Sequence, residues 1–122
     1  MGLTCTGGDR EICMALSGEV DHHHARGLMT EIEREIDREL PKHVTLDLGG
    51  VTFMDSSGIA VLLRAYRRAS EIGAAVRVTG VPEQAWKVLK TAGLERLMTF
   101  ESETGGKNPR PGRDTYETKT GK

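Results

Sequence analysis

Apolar residues recur at steps of three and four along three segments of the chain, a spacing typical of amphipathic helices. The apolar positions are Ala25, Leu28, Met29, Ile32, Ile36 and Leu40 in the first segment, Ile59, Leu62, Leu63, Tyr66 and Ala69 in the second, and Ala85, Val88, Leu89 and Ala92 in the third. Asp21 is suited to cap the first helix and Pro82 to occupy the first turn of the third. Pro41, Gly73 and Gly93 are expected to end the helices.

Short extended segments alternate with these helices. The predicted strands are 11–20, 44–48, 75–79 and 97–100, with Gly49-Gly50 as a turn or bulge before a short extended piece at 51–54. Strands that are joined through helices are expected to be parallel, with right-handed crossovers. Because 44–48 alternates apolar and polar residues, we expect one face of the sheet to be incompletely covered. The predicted fold class is α/β.

Composition divides the chain into two parts. Of the 122 residues 37% are hydrophobic, yet residues 101–122 contain only Tyr116 among them. This terminal segment is rich in glycine, proline, threonine and charge, and it cannot bury enough apolar surface to offset the entropy of ordering. We therefore expect one folded domain at 1–100 and a polar, disordered tail at 101–122.

Charge and cysteine content narrow the class of protein. The formal net charge is −1, which gives no general basic surface for nucleic acid or for an anionic membrane. No apolar run approaches the roughly 20 residues of a membrane span, and no signal peptide is recognisable. Cys5 and Cys13 are not spaced as a zinc motif and fit a reducing compartment. We expect a cytoplasmic domain without cofactor or metal.

The segment Met54-Asp55-Ser56-Ser57-Gly58 joins an extended piece to the second helix. The hydroxyl of Ser56 or Ser57 can cap that helix by accepting a hydrogen bond from an amide of its first turn. The same position favours an added phosphate, which would meet free N–H groups and the positive end of the helix dipole. A phosphoserine adds about −1.5 to −2 charge, so the segment is suited either to capping or to a charge switch.

Two motifs resemble a known family. The segment 17–23, Ser-Gly-Glu-Val-Asp-His-His, resembles the turn before the first helix in anti-sigma factor antagonists. The segment 44–61, with Phe-Met-Asp-Ser-Ser-Gly at its centre, is similar to the central block of that family. The resemblance covers about residues 10–100 and implies the STAS fold, a four- to five-stranded mixed sheet with helices packed mainly on one face.

The resemblance also implies a function and a site. In that family an unphosphorylated antagonist binds an anti-sigma factor, which is also a GHKL-type serine kinase, and so frees a sigma factor. Phosphorylation of the first serine ends binding, and a PP2C-type phosphatase restores it. Carried over, Ser56 is the phosphoacceptor, Asp55, Ser57 and Gly58 flank it on the partner-binding surface, and Asp21 ends a neighbouring loop on the same surface.

This chain departs from the family pattern in three places. Ala60 stands where members often carry glycine. The region of Gly7 to Asp9 is short for the usual first strand. The C-terminal segment lacks the apolar residues of a packed final helix, so we do not expect that helix.

Other interpretations fit less well. His22, His23 and His24 are consecutive, so their side chains point about 100° apart on a helix and cannot all face one metal ion. A serine hydrolase would need a base and an acid near Ser56, and no GxSxG or phosphate-binding glycine motif is present. We therefore expect no catalytic residues. The alternative within the fold is a STAS scaffold without a switch, an accessory subunit of a stress-signalling or lipid-transport complex.

We expect truncation after Glu101 to leave the folded domain nearly as stable as the full chain, because the removed residues contribute almost no apolar surface. Thermal unfolding followed by circular dichroism should show a melting temperature within about 4 °C of the full chain, equal to less than roughly 1 kcal/mol. A larger drop would show that the tail packs against the domain.

Overall fold

A computed structural model of the protein describes residues 2–101. The tail was predicted at 101–122; Glu101 belongs to the last strand, and residues 102–122 lie outside the described residues. The elements in chain order are β1 Gly2–Gly8, β2 Glu11–Val20, α1 His22–Glu39, β3 His43–Met54, α2 Ser57–Glu71, β4 Ala75–Thr79, α3 Glu83–Thr91, a short 3-10 helix Leu94–Arg96, and β5 Thr99–Glu101. In the described residues no helix is both long and apolar enough to cross a membrane.

The five strands form one mixed sheet in the order β1-β2-β3-β4-β5. β1 is antiparallel to β2, and the other neighbouring pairs are parallel. Alternate strand side chains are buried, for example Met14 and Leu46, whereas Ala15 and Asp47 on the other face are only half-buried. This alternation confirms a mixed α/β sheet with helices mainly on one face.

β1 corrects the expectation that the N-terminal region is too short for the usual first strand. All seven of its residues pair with β2, from Gly2 opposite Ser17 to Gly8 opposite Glu11. Asp9 and Arg10 form the two-residue turn, and both have positive φ, 55° and 68°. These values define a type I′ turn, whose twist matches that of the two strands.

Two irregularities in β3 change its register against β2. Near its start Val44 lies opposite Ile12, 32 residues earlier, whereas at its end Met54 lies opposite Val20, 34 residues earlier. β3 therefore contains two extra residues, one near Gly49-Gly50, where a bulge was predicted, and one before Phe53. The pieces 44–48 and 51–54 are thus parts of a single bulged strand.

The buried face of α2 is rotated from the predicted one. Gly58, Val61, Leu62, Ala65 and Ala69 are its buried residues. The larger Ile59, Leu63 and Tyr66, which were predicted to define that face, are only half-buried at its margin. The glycine and alanines allow the helix backbone to approach its neighbours closely, a choice that apolar periodicity alone does not reveal.

The ends of two helices also differ from expectation. Leu40 was predicted to belong to the apolar stripe of α1, but it adopts a left-handed conformation (φ 46°) as the C-cap and is 52% exposed. Ala92 is exposed as the C-cap of α3. Gly73 and Gly93 have φ of 77° and 76°, which confirms their predicted role at the helix ends.

We expect Arg10→Gly to stabilise the protein by about 0.5–1 kcal/mol. A residue with a side chain costs roughly 1–2 kcal/mol in the left-handed conformation, and glycine removes this cost. Part of the gain is lost because glycine also raises the entropy of the unfolded chain. Urea unfolding measures the change. Arg34→Gly on the exposed side of α1 is the matched control and should destabilise by about 1 kcal/mol. Destabilisation by both variants would contradict the turn assignment.

Candidate functional site

The functional candidates lie where β2 and β3 end side by side. Val20 is paired with Met54, and the next residues along the two strands are Asp21 and Asp55. The Asp55 amide donates a hydrogen bond to the Val20 carbonyl, with an N···O distance of 3.2 Å. The structure therefore brings the predicted Asp21 turn next to the predicted segment at 55–58. We call these residues, Asp21 and 55–58, the loop surface.

Asp21 caps α1 as predicted. Its Oδ1 accepts a hydrogen bond from the His24 amide at 3.1 Å and lies 2.7 Å from the His24 ring nitrogen Nδ1. Partial burial would raise the pKa of Asp21, but these bonds from the ring and the amide outweigh it and lower the pKa below its ordinary value. The cap therefore stabilises the fold fully at pH values above the ordinary carboxyl pKa. This stabilisation is lost as the pH falls through the lowered pKa of Asp21.

Asp55, rather than either serine, caps α2. Its Oδ1 accepts a hydrogen bond from the Ser57 amide at 2.8 Å. The next two amides donate to backbone carbonyls, Gly58 to Asp55 at 2.9 Å and Ile59 to Ser56 at 3.1 Å. The expectation that a serine hydroxyl caps the helix is therefore wrong, because the aspartate side chain reaches the first amide. These three amides are also not free to receive a phosphate.

Ser56 is left with an exposed hydroxyl. The residue occupies the N-cap position with φ −62° and ψ −17°, and its side chain makes no capping hydrogen bond to the described part of the chain. Ser57 is half-buried and Gly58 is buried. Of the two serines, Ser56 is thus the more accessible to another protein.

Gly58 allows α2 to begin directly over Met54. A Cβ at position 58 would lie 2.4 Å from Cγ and 2.5 Å from Sδ of Met54, which is impossible without moving that side chain. Met54 is itself 1% exposed and belongs to the core. Any larger residue at 58 would displace a core side chain, so packing favours glycine there independently of any contact with a partner.

Gln84 holds the end of β3, a role that the sequence did not suggest. β4 pairs with β3 only as far as Asp47, so the later residues of β3 have no strand on that side. There the Gln84 side chain accepts from the Met54 amide at 2.8 Å and donates to the Met54 carbonyl at 2.7 Å. One side-chain amide thus replaces a missing strand just before Asp55.

An exposed aromatic residue lies beside the loop surface and was also not singled out from the sequence. Phe53 is opposite Glu19 in the sheet and is 43% exposed. Trp86 is different, because its ring packs edge to face on Phe100 at a centroid distance of 5.3 Å, within the chain itself. An exposed aromatic ring beside a polar loop is typical of protein interfaces.

The arginines of α2 are mostly engaged within the chain. Arg64 lies 3.4 Å from Glu33 of α1, and Arg68 lies 2.7 Å from Asp37. The hydrogen bond that Arg68 Nε donates to the Asp37 carboxylate is the main cause of the raised pKa of Arg68. Exposed ion pairs of this kind contribute little to stability. Arg64 and Arg68 thus already face acidic residues of α1.

No group of histidine, cysteine and carboxylate residues suited to a metal ion occurs within 2–101. Of the three consecutive histidines, His24 turns to Asp21 and is half-buried, whereas His22 and His23 are exposed. Cys5 pairs opposite Met14, while Cys13 is opposite Thr6. The two thiols therefore lie on opposite faces of the sheet, and no disulfide joins them.

The fold and the loop surface define a small α/β domain, and sequence comparison identifies its family. A family model for the STAS domain matches residues 4–105. The chain therefore belongs to the STAS domain family. An anti-sigma F factor antagonist of Paenibacillus polymyxa is 32% identical over 87 residues, which are 71% of this chain and 74% of that protein.

Solved structures agree on the fold. The anti-sigma factor antagonist SpoIIAA in its unphosphorylated form matches with a TM-score of 0.71 at 22% identity, over 84% of this chain and 90% of that one. An anti-sigma factor antagonist from Mycobacterium paratuberculosis matches with a TM-score of 0.72 at 20% identity, over 81% and 83%. The predicted STAS fold is confirmed.

We expect Gln84→Ala to destabilise the protein by about 1–2 kcal/mol, because it leaves the amide and carbonyl of Met54 without partners in a partly buried position. Urea unfolding measures the loss, and amide hydrogen exchange should show faster exchange at Met54. Lys87→Ala, on the exposed side of the same helix, is the control and should change stability by less than about 0.5 kcal/mol. Equal stability of the two variants would show that Gln84 does not hold β3.

Proposed function

We propose that the protein is a cytoplasmic anti-sigma factor antagonist that is switched by phosphorylation of Ser56. In its unphosphorylated form it binds an anti-sigma factor that is also a GHKL-type serine kinase, and so releases a sigma factor. The partner docks on the loop surface, Asp21 with Asp55, Ser56, Ser57 and Gly58. A PP2C-type phosphatase reverses the modification. The chain itself is a substrate and a binding partner, not an enzyme.

The observation that carries this proposal is the exposed hydroxyl of Ser56 on a loop that is fixed on both sides. Asp55 is held by Val20 and by the Ser57 amide, and Met54 by Gln84. A hydroxyl on such a loop is presented in one position to a kinase, without an internal hydrogen bond that must first be broken. The name of the relative from Paenibacillus polymyxa supports the same function.

The electrostatics explain how phosphate could end binding without altering the fold. The nearest amides of α2 already have acceptors, so a phosphate on Ser56 has no free donor among them and remains directed outwards. It also stands beside the carboxylate of Asp55. Against a formal net charge of −1, about two further negative charges at one exposed position would strongly change a docking surface.

Phe53 offers such a surface an apolar contact. Its ring is 43% exposed and is only three residues from Ser56 along the chain. Aromatic residues at the centre of an interface often carry much of the binding energy, while surrounding polar groups supply specificity. A partner that covers both Phe53 and the hydroxyl would lose this contact when a phosphate holds it away from the surface.

We expect Ser56→Asp to weaken binding to the partner kinase at least tenfold, about 1.4 kcal/mol or more, with an unchanged melting temperature. Each GHKL-type kinase from the genome of origin would be purified and tested for binding by isothermal titration calorimetry. Ser56→Ala should bind as the native chain does but accept no phosphate from the kinase and ATP. Phosphorylation would be assigned by peptide mass spectrometry.

The control for this experiment is Ser57→Ala, which removes the neighbouring hydroxyl but retains the amide that Asp55 binds. This variant should still be phosphorylated, at Ser56. Modification of Ser57 or of a tail threonine while Ser56 stays unmodified would contradict the assignment. If a kinase binds the native chain and Ser56→Asp does not weaken that binding, the result would favour the alternative function, a STAS scaffold without a switch.

A further inference from the structure

The outer edge of β1 is an unprotected strand edge. Within residues 2–101 no strand pairs with it. Proteins usually protect such edges with charged residues, with proline or by keeping the strand very short. β1 has seven residues, Gly-Leu-Thr-Cys-Thr-Gly-Gly, with neither charge nor proline. β5 at the opposite edge has only three residues, and its Glu101 is paired with Arg77 at 3.0 Å.

The turn determines which backbone groups of β1 face outwards. In a type I′ turn the flanking residues, here Gly8 and Glu11, form a hydrogen-bonded pair. In an antiparallel ladder such pairs alternate with pairs that exchange no hydrogen bond. Thr4 and Thr6 therefore bond to β2, whereas the N–H and C=O groups of Leu3, Cys5 and Gly7 point away from the sheet.

We propose that β1 pairs with β1 of a second copy of this chain, antiparallel, around a two-fold axis at Cys5. Cys5 then faces Cys5 of the other copy, and Leu3 faces Gly7. These are the residues with outward backbone groups, so about six hydrogen bonds form and none of the outward groups is left unpaired. The result is a continuous ten-stranded sheet. This self-complementary register is the reason for assigning a second copy as the occupant.

The side chains fit the same arrangement. Gly7 cannot carry a side chain, because a Cβ there would lie 2.6 Å from the Glu11 carbonyl oxygen and 2.9 Å from Cγ2 of Ile12. The place of a side chain at Gly7 is thus taken by Ile12 of the same copy, and Leu3 of the other copy would meet the glycine backbone itself. The edge thus combines one apolar side chain with the glycine that faces it, and pairing would cover both.

The charged groups near the axis belong to α1 and are ion-paired within each copy. Burial raises the pKa of the Cys5 thiol, as does the neighbouring Glu35 carboxylate, while Arg38 lowers it. Arg38 is 62% exposed and is paired with Glu35 and Glu39 of its own helix. Each copy thus carries two carboxylates and one guanidinium near the axis, and Arg38 offsets one of the two negative charges within its own copy. The backbone hydrogen bonds of the paired strands hold the two copies together without a covalent bond between the thiols.

The dimer leaves the loop surface accessible. β1 is separated from β3 by β2, and the loop surface follows the ends of β2 and β3. The inference therefore does not depend on the proposed function. Loss of kinase binding in a loop variant and loss of dimerisation in an edge variant would be separate results.

Sedimentation velocity of the full chain tests the proposal, from about 10 μM to about 1 mM, because association follows mass action. We expect a concentration-dependent shift from 13.3 kDa towards twice that mass. Cys5→Pro should stay monomeric, because proline removes an outward N–H without touching the ladder to β2. Cys5→Ala, which retains the edge backbone, should dimerise. A native chain that is monomeric throughout, or a proline variant that dimerises equally, would overturn the proposal.

Amide hydrogen exchange of the native chain, followed by NMR, tests the register even if the proline variant does not fold. Thr4 and Thr6 should be protected at low and high concentration, whereas Leu3, Cys5 and Gly7 should be protected only at high concentration. If these three amides are protected at every concentration and lose this protection on truncation after Glu101, the edge of β1 is covered by the tail and not by a second copy. Uniform exchange along β1 would also contradict the proposal.

Discussion

Parallel strands β2 and β3 begin in one register and end in another, because β3 contains two extra residues. In the starting register Asp55 would lie level with position 23, inside α1. With the offset of 34 residues that the bulges create, it lies level with Asp21. Two helix-starting turns thereby meet at one end of the sheet. Gly50 allows this geometry, since a Cβ there would lie 3.0 Å from the Leu16 carbonyl oxygen.

The loop that results is fixed by hydrogen bonds rather than by burial. The Asp55 amide donates to the Val20 carbonyl, and the Asp55 side chain accepts from the Ser57 amide. Gln84 bonds to both the amide and the carbonyl of Met54. Because these groups are satisfied internally, Ser56 is left exposed without making the backbone mobile. A fixed backbone reduces the entropy lost when a partner docks. The same capping by Asp55 changes the expected effect of phosphate, from an internal ligand of the helix to an outward charge.

The sheet also separates two surfaces that could act independently. The loop surface uses the carboxyl ends of the inner strands β2 and β3, whereas the free edge belongs to β1, which enters the sheet antiparallel through a hairpin. Pairing along the edge extends the sheet sideways and does not approach those strand ends. In the proposed dimer the two loop surfaces would lie at opposite ends of the continuous sheet, because the two-fold axis makes the strands of the two copies antiparallel.

The sequence by itself determined the α/β class, the three helices, the cap at Asp21 and the family, because these follow from local periodicity, from turn residues and from contiguous motifs. It could not determine that Gln84 binds Met54, since the two are 30 residues apart and a glutamine on a helix has no local signature. Nor could it choose between Asp55 and the serines as the cap of α2, because all three side chains are able to accept the same hydrogen bond. Only the tertiary structure decided these points, because the register of β3 and the packing of α3 determine which acceptor reaches which amide.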